Sequence, residues 1–179
     1  MSGHSHWSSI KHKKGITDAR KGKVFSKMAK MITIAAHKGG DPEMNPALRL
    51  AIEKAKSVNM PKENIQRAIK RGTGEDKEAR LEEVTYEAYG PNGTPFIIET
   101  ITDNKNRTLS EIKNILNNHK AKLAGAGSVK YLFKKKGEDW LPKYPIETTD
   151  ENIKKQLIKL FEALDEQEDV KEIYSNINL

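Results

Sequence analysis

Residues 84–102 read VTYEAYGPNGTPFIIETIT. Two runs rich in alternating and β-branched apolar residues, 84–89 and 95–102, flank Gly90-Pro91-Asn92-Gly93-Thr94. Asn92-Gly93 supplies the positive φ angles that a tight turn requires, so the stretch predicts a β-hairpin. Upstream of it, apolar residues recur at helical spacing, and the chain therefore changes here from a helical to a strand-forming pattern.

The segment after the hairpin alternates between helical and extended patterns. The predicted elements are a helix from Thr108 to about His119, a strand from Ser128 to Lys134, a possible edge strand from Trp140 to Ile146, a helix from about Asp150 to Leu164 and a strand from Val170 to Ile177. With the second hairpin strand, this order is β-α-β-β-α-β. Residues 77–179 are therefore predicted to form a ferredoxin-like α/β sandwich with an extra N-terminal hairpin strand, in a chain of α+β class. The acidic stretch 165–169 is interpreted as a solvated helix end.

The first part of the chain has the pattern of a small helical domain. Apolar residues at helical spacing between Thr17 and His37 predict a first helix. Asn45 followed by Pro46 is typical of the start of a second helix, and Gly72 closes the apolar stripe of a third. The Gly-rich and then charged stretch 72–78 predicts a linker. Residues 1–76 are therefore predicted to form a basic tail and a three-helix domain.

Positive charge is concentrated in this first domain. Residues 1–76 contain 16 Lys and Arg against 7 Asp and Glu, a formal charge of +9, whereas residues 77–179 contain 16 against 18, or −2. A one-sided excess of this kind is typical of proteins that bind a polyphosphate partner. The pattern favours nucleic acid as the partner and the first domain as the contact region.

Four cations of the first helix recur at spacings of 3, 4 and 3 and therefore share one face, away from the apolar one. They are Arg20, Lys23, Lys27 and Lys30. None has an acidic residue four positions later, so the cations repel one another unless a phosphate partner relieves the repulsion. The alternative is an ordinary solvated helix face.

The N-terminal tail combines an aromatic residue with cations. Trp7 is followed by Lys11, Lys13 and Lys14. A ring of this kind stacks on an unpaired base while lysines neutralise phosphates, which suits RNA loops and ends. The alternative is a disordered, solvated arm.

Several motifs occur in a characteristic order. They are Gly3-His4-Ser5-His6-Trp7 with residues 10–14, Gly40-Asp41-Pro42 with Asn45-Pro46, Asn59-Met60-Pro61, residues 67–74, residues 86–91, residues 103–108 and residues 127–133. Together they closely resemble the YebC family over residues 1 to about 136, and more loosely in the last helix and strand. Members of that family act as DNA-binding transcriptional regulators or as ribosome-associated translation factors. The translation factors help with difficult peptide sequences such as proline runs and include the mitochondrial activator of cytochrome oxidase subunit I synthesis.

The resemblance and the charge pattern together define a predicted nucleic-acid interface. Its residues are His4, His6, Trp7, Lys11, His12, Lys13, Lys14, Arg20, Lys23, Lys27, Lys30, Lys70 and Arg71. Typical members insert a third domain after the strand that ends here near Lys136, and that domain is expected to be absent. His6 and Lys105 stand where the family usually has Lys and Arg, so His6 loses charge at neutral pH and Lys105 loses a bidentate donor.

Residues 103–108 lie where a predicted strand passes into a helix. One interpretation is that this segment caps the helix. The N–H groups at a helix start also point outward, so Lys105, Asn106 and Arg107 are predicted to form a secondary phosphate-binding site. Both interpretations can hold together.

Other chemistries have little support in the sequence. The chain has no cysteine, and His4, His6, His12 and His37 lack a further ligand at fixed helical spacing, so no metal site is predicted. No nucleotide-binding loop, dinucleotide fingerprint or nucleophile elbow occurs, so neither a cofactor nor an enzymatic activity is predicted. A nuclease with carboxylates far apart in the sequence stays open.

No apolar run approaches the roughly 20 residues that span a bilayer, and the N-terminus lacks the apolar core of a secretory signal. We therefore expect no membrane contact and a cytosolic location.

These patterns predict a non-enzymatic, YebC-like regulator of gene expression that binds nucleic acid through its first domain. Ribosomal or transfer RNA is the favoured ligand and the ribosome the favoured partner, because the cations accompany an aromatic residue on a tail. The alternative is a transcriptional regulator that binds duplex DNA, which would require a dimer or a second reading surface. A purely structural interaction module is the third possibility.

Overall fold

The computed structural model describes Trp7, residues 18–75 and residues 80–179. Its contacts divide the chain into two compact units. The helical unit contains residues 18–75 and 80–83 together with Ile101–Asp103. The sheet unit contains Val84–Thr100 and Asn104–Leu179, and Trp7 belongs to it as well.

Three helices build the helical unit: α1 at Asp18–Ala36, α2 at Pro46–Ser57 and α3 at Lys62–Gly72. The predicted start of α2 is confirmed, because the side chain of Asn45 accepts a hydrogen bond from the Leu48 N–H at 3.1 Å and Pro46 is the first helical residue. The Asn45 amide also donates to the carbonyl oxygens of Ala35 and Gly39, both at 2.8 Å. One side chain thereby joins the end of α1 to the start of α2.

The apolar faces of the three helices form one small core. Its buried members are Ile32, Ala36, Leu48, Ala51, Ile52, Ala55, Met60, Ile65 and Ala68. Helices α1 and α3 pack closely where α3 ends: a Cβ at Gly72 would collide with the carbonyl oxygen of Thr33 and would lie 2.6 Å from the Cβ of Ala36. Thr33 also donates its hydroxyl to the carbonyl oxygen of Ala68 at 3.1 Å.

The sheet unit has eight strands and two helices among its described residues. The strands are β1 (Glu82–Tyr89), β2 (Pro95–Thr102), β3 (Lys122–Leu123), β4 (Phe133–Lys136), β5 (Asp139–Pro142), β6 (Ile146–Glu147), β7 (Val170–Ser175) and β8 (Ile177–Asn178), and the helices are α4 (Lys105–Asn118) and α5 (Glu151–Glu166). The main sheet has the order β3-β1-β2-β7, and β4-β5 and β6-β8 form separate two-stranded sheets. The predicted turn is confirmed, because Asn92 and Gly93 have φ angles of 58° and 68°.

The predicted α+β class with an N-terminal helical domain is confirmed. The strand predicted from Ser128 to Lys134, however, does not join the main sheet. The predicted strand from Ser128 to Lys134 begins instead as a single 3-10 turn at Lys130–Leu132 and continues as β4. β4 pairs with β5 in a hairpin of their own. Strand β1 pairs antiparallel with the short β3 and lies beside β2, so the hairpin strand itself completes the main sheet.

Strand β2 separates two apolar clusters. Phe96 and Ile98 belong to the larger cluster, which α4 and α5 cover with residues that include Ile112, Leu116 and Phe161. Ile97, on the opposite face, packs in a second cluster whose members are Val129, Phe133 and Tyr174, with Trp140 at its margin. All eight residues of β2 are buried, because both faces of the strand are covered.

Candidate nucleic-acid interface

Helix α1 has two different faces. Ile32 and Ala36 are fully buried in the core, and Phe25 and Met28 pack against it. Arg20 and Lys23 of the predicted stripe are exposed, whereas Lys27 and Lys30 are half-buried. The structure therefore places the first two stripe residues in solvent and the last two at the edge of the packed face.

The other predicted residues of this unit lie at the end of α3. Lys70 is exposed and Arg71 is half-buried, and both belong to the last turn of the helix. Cations stabilise a helix C-terminus through the helix dipole. Lys70 and Arg71 therefore have a structural role, in addition to the ligand-binding role predicted for them. Thr73 closes the helix by donating its hydroxyl to the carbonyl oxygen of Lys70 at 3.0 Å.

The structure buries Trp7, whereas the sequence predicted an accessible ring that stacks on a base. Its side chain is 5% exposed, and it belongs to the apolar core of the sheet unit. The ring lies edge-to-face on Phe161, with 5.6 Å between ring centroids. A base needs an accessible ring to stack upon, so this conformation assigns Trp7 to packing, which the large apolar area of an indole favours. The other predicted tail residues, His4, His6, Lys11, His12, Lys13 and Lys14, lie outside the described residues.

The predicted secondary phosphate site is built as a helix cap. Asn104 precedes α4 and accepts a hydrogen bond from the Arg107 N–H at 3.1 Å. The Arg107 guanidinium forms an ion pair with Asp169 at 3.0 Å, and the Thr108 hydroxyl donates to the same carboxylate oxygen at 2.6 Å. Lys105 and Asn106 are exposed. The capping interpretation therefore describes the geometry, and the Arg107 guanidinium is already engaged by a carboxylate.

Asp169 corrects the interpretation of 165–169 as a solvated helix end. Helix α5 ends at Glu166, and Asp169 is only 2% exposed. Its charge is stabilised by Arg107 and Thr108, which are more than sixty positions away in the sequence. No local signal in the acidic stretch distinguishes this residue from its exposed neighbour Glu168.

A second buried carboxylate organises the loop before β4. Glu87 accepts hydrogen bonds from the N–H groups of Gly127, Val129 and Lys130 at 2.6 to 2.8 Å. Burial raises the pKa of Glu87, but these three donors and the nearby Lys130 charge outweigh it, so the pKa lies below its usual value. Tyr89 adds a hydrogen bond from its hydroxyl to the Ser128 carbonyl oxygen at 3.0 Å.

A third carboxylate fixes the β4-β5 hairpin to the sheet. Glu99 accepts from the Trp140 indole N–H at 2.9 Å and from the Lys135 ammonium at 3.1 Å. Lys171 approaches the other oxygen at 3.7 Å. Tyr174 lies in the same cluster, and burial, together with the charge of Glu99, raises the pKa of its hydroxyl. Both hydrogen bonds end on Oε1 of Glu99 and hold the hairpin in place, whereas the buried Oε2 has the Lys171 ion pair and no hydrogen-bond partner among the described residues.

Within residues 18–75 and 80–179, and at Trp7, no group of three or more metal-ligating side chains comes together. In the same part of the chain, every helix is too short or too polar to cross a bilayer.

A basic three-helix unit joined to an α+β unit defines the class of this protein, and comparison with known sequences gives its family. The family model for the TACO1/YebC protein N-terminal domain matches residues 5–75, and the model for the TACO1/YebC second and third domain matches residues 81–138. The chain belongs to the TACO1/YebC family.

Individual relatives agree with this membership. A protein of Dictyoglomus turgidum named "probable transcriptional regulatory protein" is 53% identical over 154 residues, which are 86% of this chain and 62% of the relative. A protein of the same name from Desulfosudis oleivorans is 48% identical over 97% of this chain and 74% of its own length. The chain thus spans about three fifths of the first relative and about three quarters of the second.

A solved structure has the same fold. The crystal structure of a conserved hypothetical protein from Aquifex aeolicus superposes with a TM-score of 0.84 at 34% sequence identity, over 94% of each chain.

Proposed function

We propose that this protein is a non-enzymatic regulator of gene expression that binds RNA through the exposed cations of its helical unit and acts in translation in the cytosol. The observation that carries the proposal is the division of α1 into a buried apolar face and a basic face with Arg20 and Lys23 in solvent. Residues 18–75 carry 13 Lys and Arg against 6 Asp and Glu. A helical unit with this net positive charge attracts a phosphate backbone over a long range.

RNA is favoured over duplex DNA by the kind of side chain that α1 exposes. Between positions 20 and 26 its exposed residues are Arg20, Lys21, Gly22, Lys23 and Ser26. Lysine and arginine bind phosphates, and this helix has no Asn or Gln with which to read adenine edges in a major groove. The resemblance to ribosome-associated members of the family supports ribosomal or transfer RNA as the ligand and synthesis through difficult sequences, such as proline runs, as the process.

A second candidate function is duplex DNA binding in transcription. Two observations favour it: the relatives from Dictyoglomus turgidum and Desulfosudis oleivorans are named probable transcriptional regulatory proteins, and α3 exposes Gln66, Arg67 and Lys70. Gln and Arg are side chains that read adenine and guanine edges in a major groove.

Co-sedimentation with ribosomes tests the proposal. We expect the full chain to pellet with purified ribosomes at low salt and to be released as salt rises, because phosphate contacts release counterions. The variant Arg20→Glu with Lys23→Glu should stay in the supernatant. Lys155→Glu with Lys159→Glu, two exposed positions on α5, is the matched control and should pellet like the natural chain.

The competing function gives a different result. If the chain fails to pellet with ribosomes but selects a defined duplex from genomic fragments in the presence of nonspecific competitor, the translation proposal is wrong. In that case Gln66→Ala with Arg67→Ala should relax the selected sequence, because base contacts carry specificity.

A further inference from the structure

The β4-β5 hairpin and the segment after it expose aromatic rings beside lysines. Tyr131 is 62% exposed and Tyr144 is 71% exposed, and both are among the most exposed large hydrophobic side chains that the structure describes. Lys134, Lys136 and Lys143, which are near the two tyrosines in sequence, are exposed as well. This surface, defined by Tyr131, Lys134, Lys136, Lys143 and Tyr144, is called the hairpin surface.

The hairpin has a fixed inner side, which determines what its outer side presents. Phe133 is 3% exposed and packs in the cluster beneath β2, and Lys135 reaches inward to Glu99 at 3.1 Å. Side chains alternate along a strand, so Lys134 and Lys136 point away from the sheet. The Lys143 N–H donates to the Leu132 carbonyl oxygen at 2.9 Å and continues the pairing towards the two tyrosines.

The lysines of this surface are not neutralised by ion pairs within the part of the chain that the structure describes. From Ser128 to Gly137 the chain contains four lysines and no acidic residue. Among the described residues, Lys134, Lys136 and Lys143 have no ion-pair partner, whereas Lys135 is neutralised by Glu99. The nearest acidic residues in sequence are Glu138, Asp139 and Glu147. Asp139 lies opposite Lys136 in the hairpin and accepts a hydrogen bond from Tyr174 at 3.4 Å.

We propose that the hairpin surface is a second RNA-binding site, which takes an unpaired strand by stacking bases on Tyr131 and Tyr144 and pairing phosphates with Lys134, Lys136 and Lys143. The inference rests on the proposed RNA-binding function and adds a site outside the helical unit. Exposed rings next to lysines suit a single strand, because each base offers a face for stacking once it leaves the duplex. A duplex keeps its bases stacked inside, so it has no free base for the two rings. An acidic peptide would bind to the lysines and would leave the two rings without a role.

The rigid support explains why the two rings can act together. The hairpin is tied to the sheet by the Trp140–Glu99 hydrogen bond at 2.9 Å, and Lys135 lies 4.7 Å from the centre of the Trp140 ring. A surface that is held before binding loses less conformational freedom when the ligand arrives.

Fluorescence anisotropy with labelled oligouridylate, in the full chain, tests the site. Tyr131→Leu with Tyr144→Leu should weaken binding by at least about tenfold, because a stacked aromatic typically contributes several-fold or more per base. Tyr131→Phe with Tyr144→Phe keeps both rings and should bind much more tightly than the leucine pair. The duplex form of the same RNA length should bind the natural chain and the leucine pair with equal affinity.

The lysines give an independent measurement. Lys134→Glu with Lys136→Glu should reduce the slope of log affinity against log salt by about 1.4 for single-stranded RNA, since each lost phosphate contact accounts for about 0.7. Lys155→Glu with Lys159→Glu changes the net charge equally and should leave the slope unchanged. Circular dichroism of every variant checks that the fold is kept.

The outcomes separate this site from the proposed function. If the leucine pair and the glutamate pair bind oligouridylate like the natural chain while Arg20→Glu with Lys23→Glu loses binding, the hairpin site is refuted and the helical interface stands. If the hairpin variants lose binding and the α1 variant does not, the hairpin site stands and the helical interface is wrong. Equal losses of oligouridylate and duplex affinity in the leucine pair overturn the stacking role. The stacking role is also overturned if the glutamate pair loses oligouridylate affinity and the leucine pair does not. The surface would then be a general cation patch.

Discussion

The two units of this protein use their charged side chains in opposite ways. In the helical unit Arg20 and Lys23 are exposed on a helix whose other face is buried. In the sheet unit Glu87, Glu99 and Asp169 are buried and accept hydrogen bonds from backbone N–H groups or cationic side chains. The number of charges in a unit therefore says little by itself, because exposed charges are accessible to a ligand whereas buried charges fix loops and helix ends.

The largest expected effect is at Trp7, which tests whether that residue belongs to the packed unit or to the ligand. Trp7→Ala should lower the free energy of unfolding by about 3 to 5 kcal/mol, because it removes a buried indole from Phe161 and its neighbours. Urea unfolding followed by circular dichroism measures the change. Trp7→Phe keeps a ring and should lose clearly less. A Trp7→Ala protein of unchanged stability that loses RNA affinity would return the residue to the ligand-binding role.

The next effect is at Asp169, whose carboxylate joins the start of α4 to the segment after α5. Asp169→Ala should cost about 2 to 3 kcal/mol of unfolding free energy, because Arg107 and Thr108 lose a common acceptor inside the unit. Glu168→Ala, at the exposed neighbouring position, is the control and should change stability by less than about 0.5 kcal/mol. Equal losses in both variants would show that Asp169 is no more buried in solution than Glu168.

The Glu87 carboxylate predicts a pH dependence of moderate size. Its pKa is lower in the folded than in the unfolded chain, so the charged form stabilises the fold. That stability is fully present above the usual carboxyl pKa of 4.5 and is lost as the pH falls through the lower folded pKa. Glu87→Gln should cost about 1 to 2 kcal/mol at neutral pH, because an amide cannot accept from all three N–H groups without turning its own donor towards one.

Urea titrations between pH 7 and pH 3 check this, with the free energy of unfolding measured at each pH. The natural chain should lose more stability than Glu87→Gln as the pH falls below 4.5. Parallel curves for the two proteins would contradict the assigned role of the carboxylate.

The smallest stability effect is expected on the basic face of α1, where function should change instead. Arg20→Glu with Lys23→Glu should shift the free energy of unfolding by no more than about 0.5 kcal/mol, because both positions are exposed. RNA affinity measured by anisotropy should fall, most steeply at low salt, where phosphate contacts are strongest. A large drop in the free energy of unfolding in this variant would show that Arg20 and Lys23 stabilise the fold, as the buried charges of the sheet unit do.

Local patterns were enough for much of the secondary structure. The Asn45-Pro46 helix start and the Asn92-Gly93 turn depend on the conformations of a few adjacent residues, and both were predictable for that reason. The helices near residues 108–119 and 150–164 were also predicted, and the structure shifts their ends by no more than a few residues. The order of short motifs indicated the family, which the comparisons show.

Partners that lie far apart in the sequence were not predictable in the same way. Strand β1 and not the segment after Ser128 completes the main sheet, because strand order depends on which surfaces meet after the chain folds back. A carboxylate in a strand or after a helix looks the same in sequence whether it is solvated or buried, so Glu87, Glu99 and Asp169 gave no signal.

The helical segments, most of the extended segments, the positive charge of residues 1–76 and the family of the chain follow from the amino-acid sequence alone. The packing of Trp7 on Phe161, the ion pair of Arg107 with Asp169 and the exposure of Tyr131 and Tyr144 became visible only in the folded structure. Helical periodicity and turn geometry act between neighbours in the chain, whereas burial and ion pairing depend on surfaces that only folding brings together.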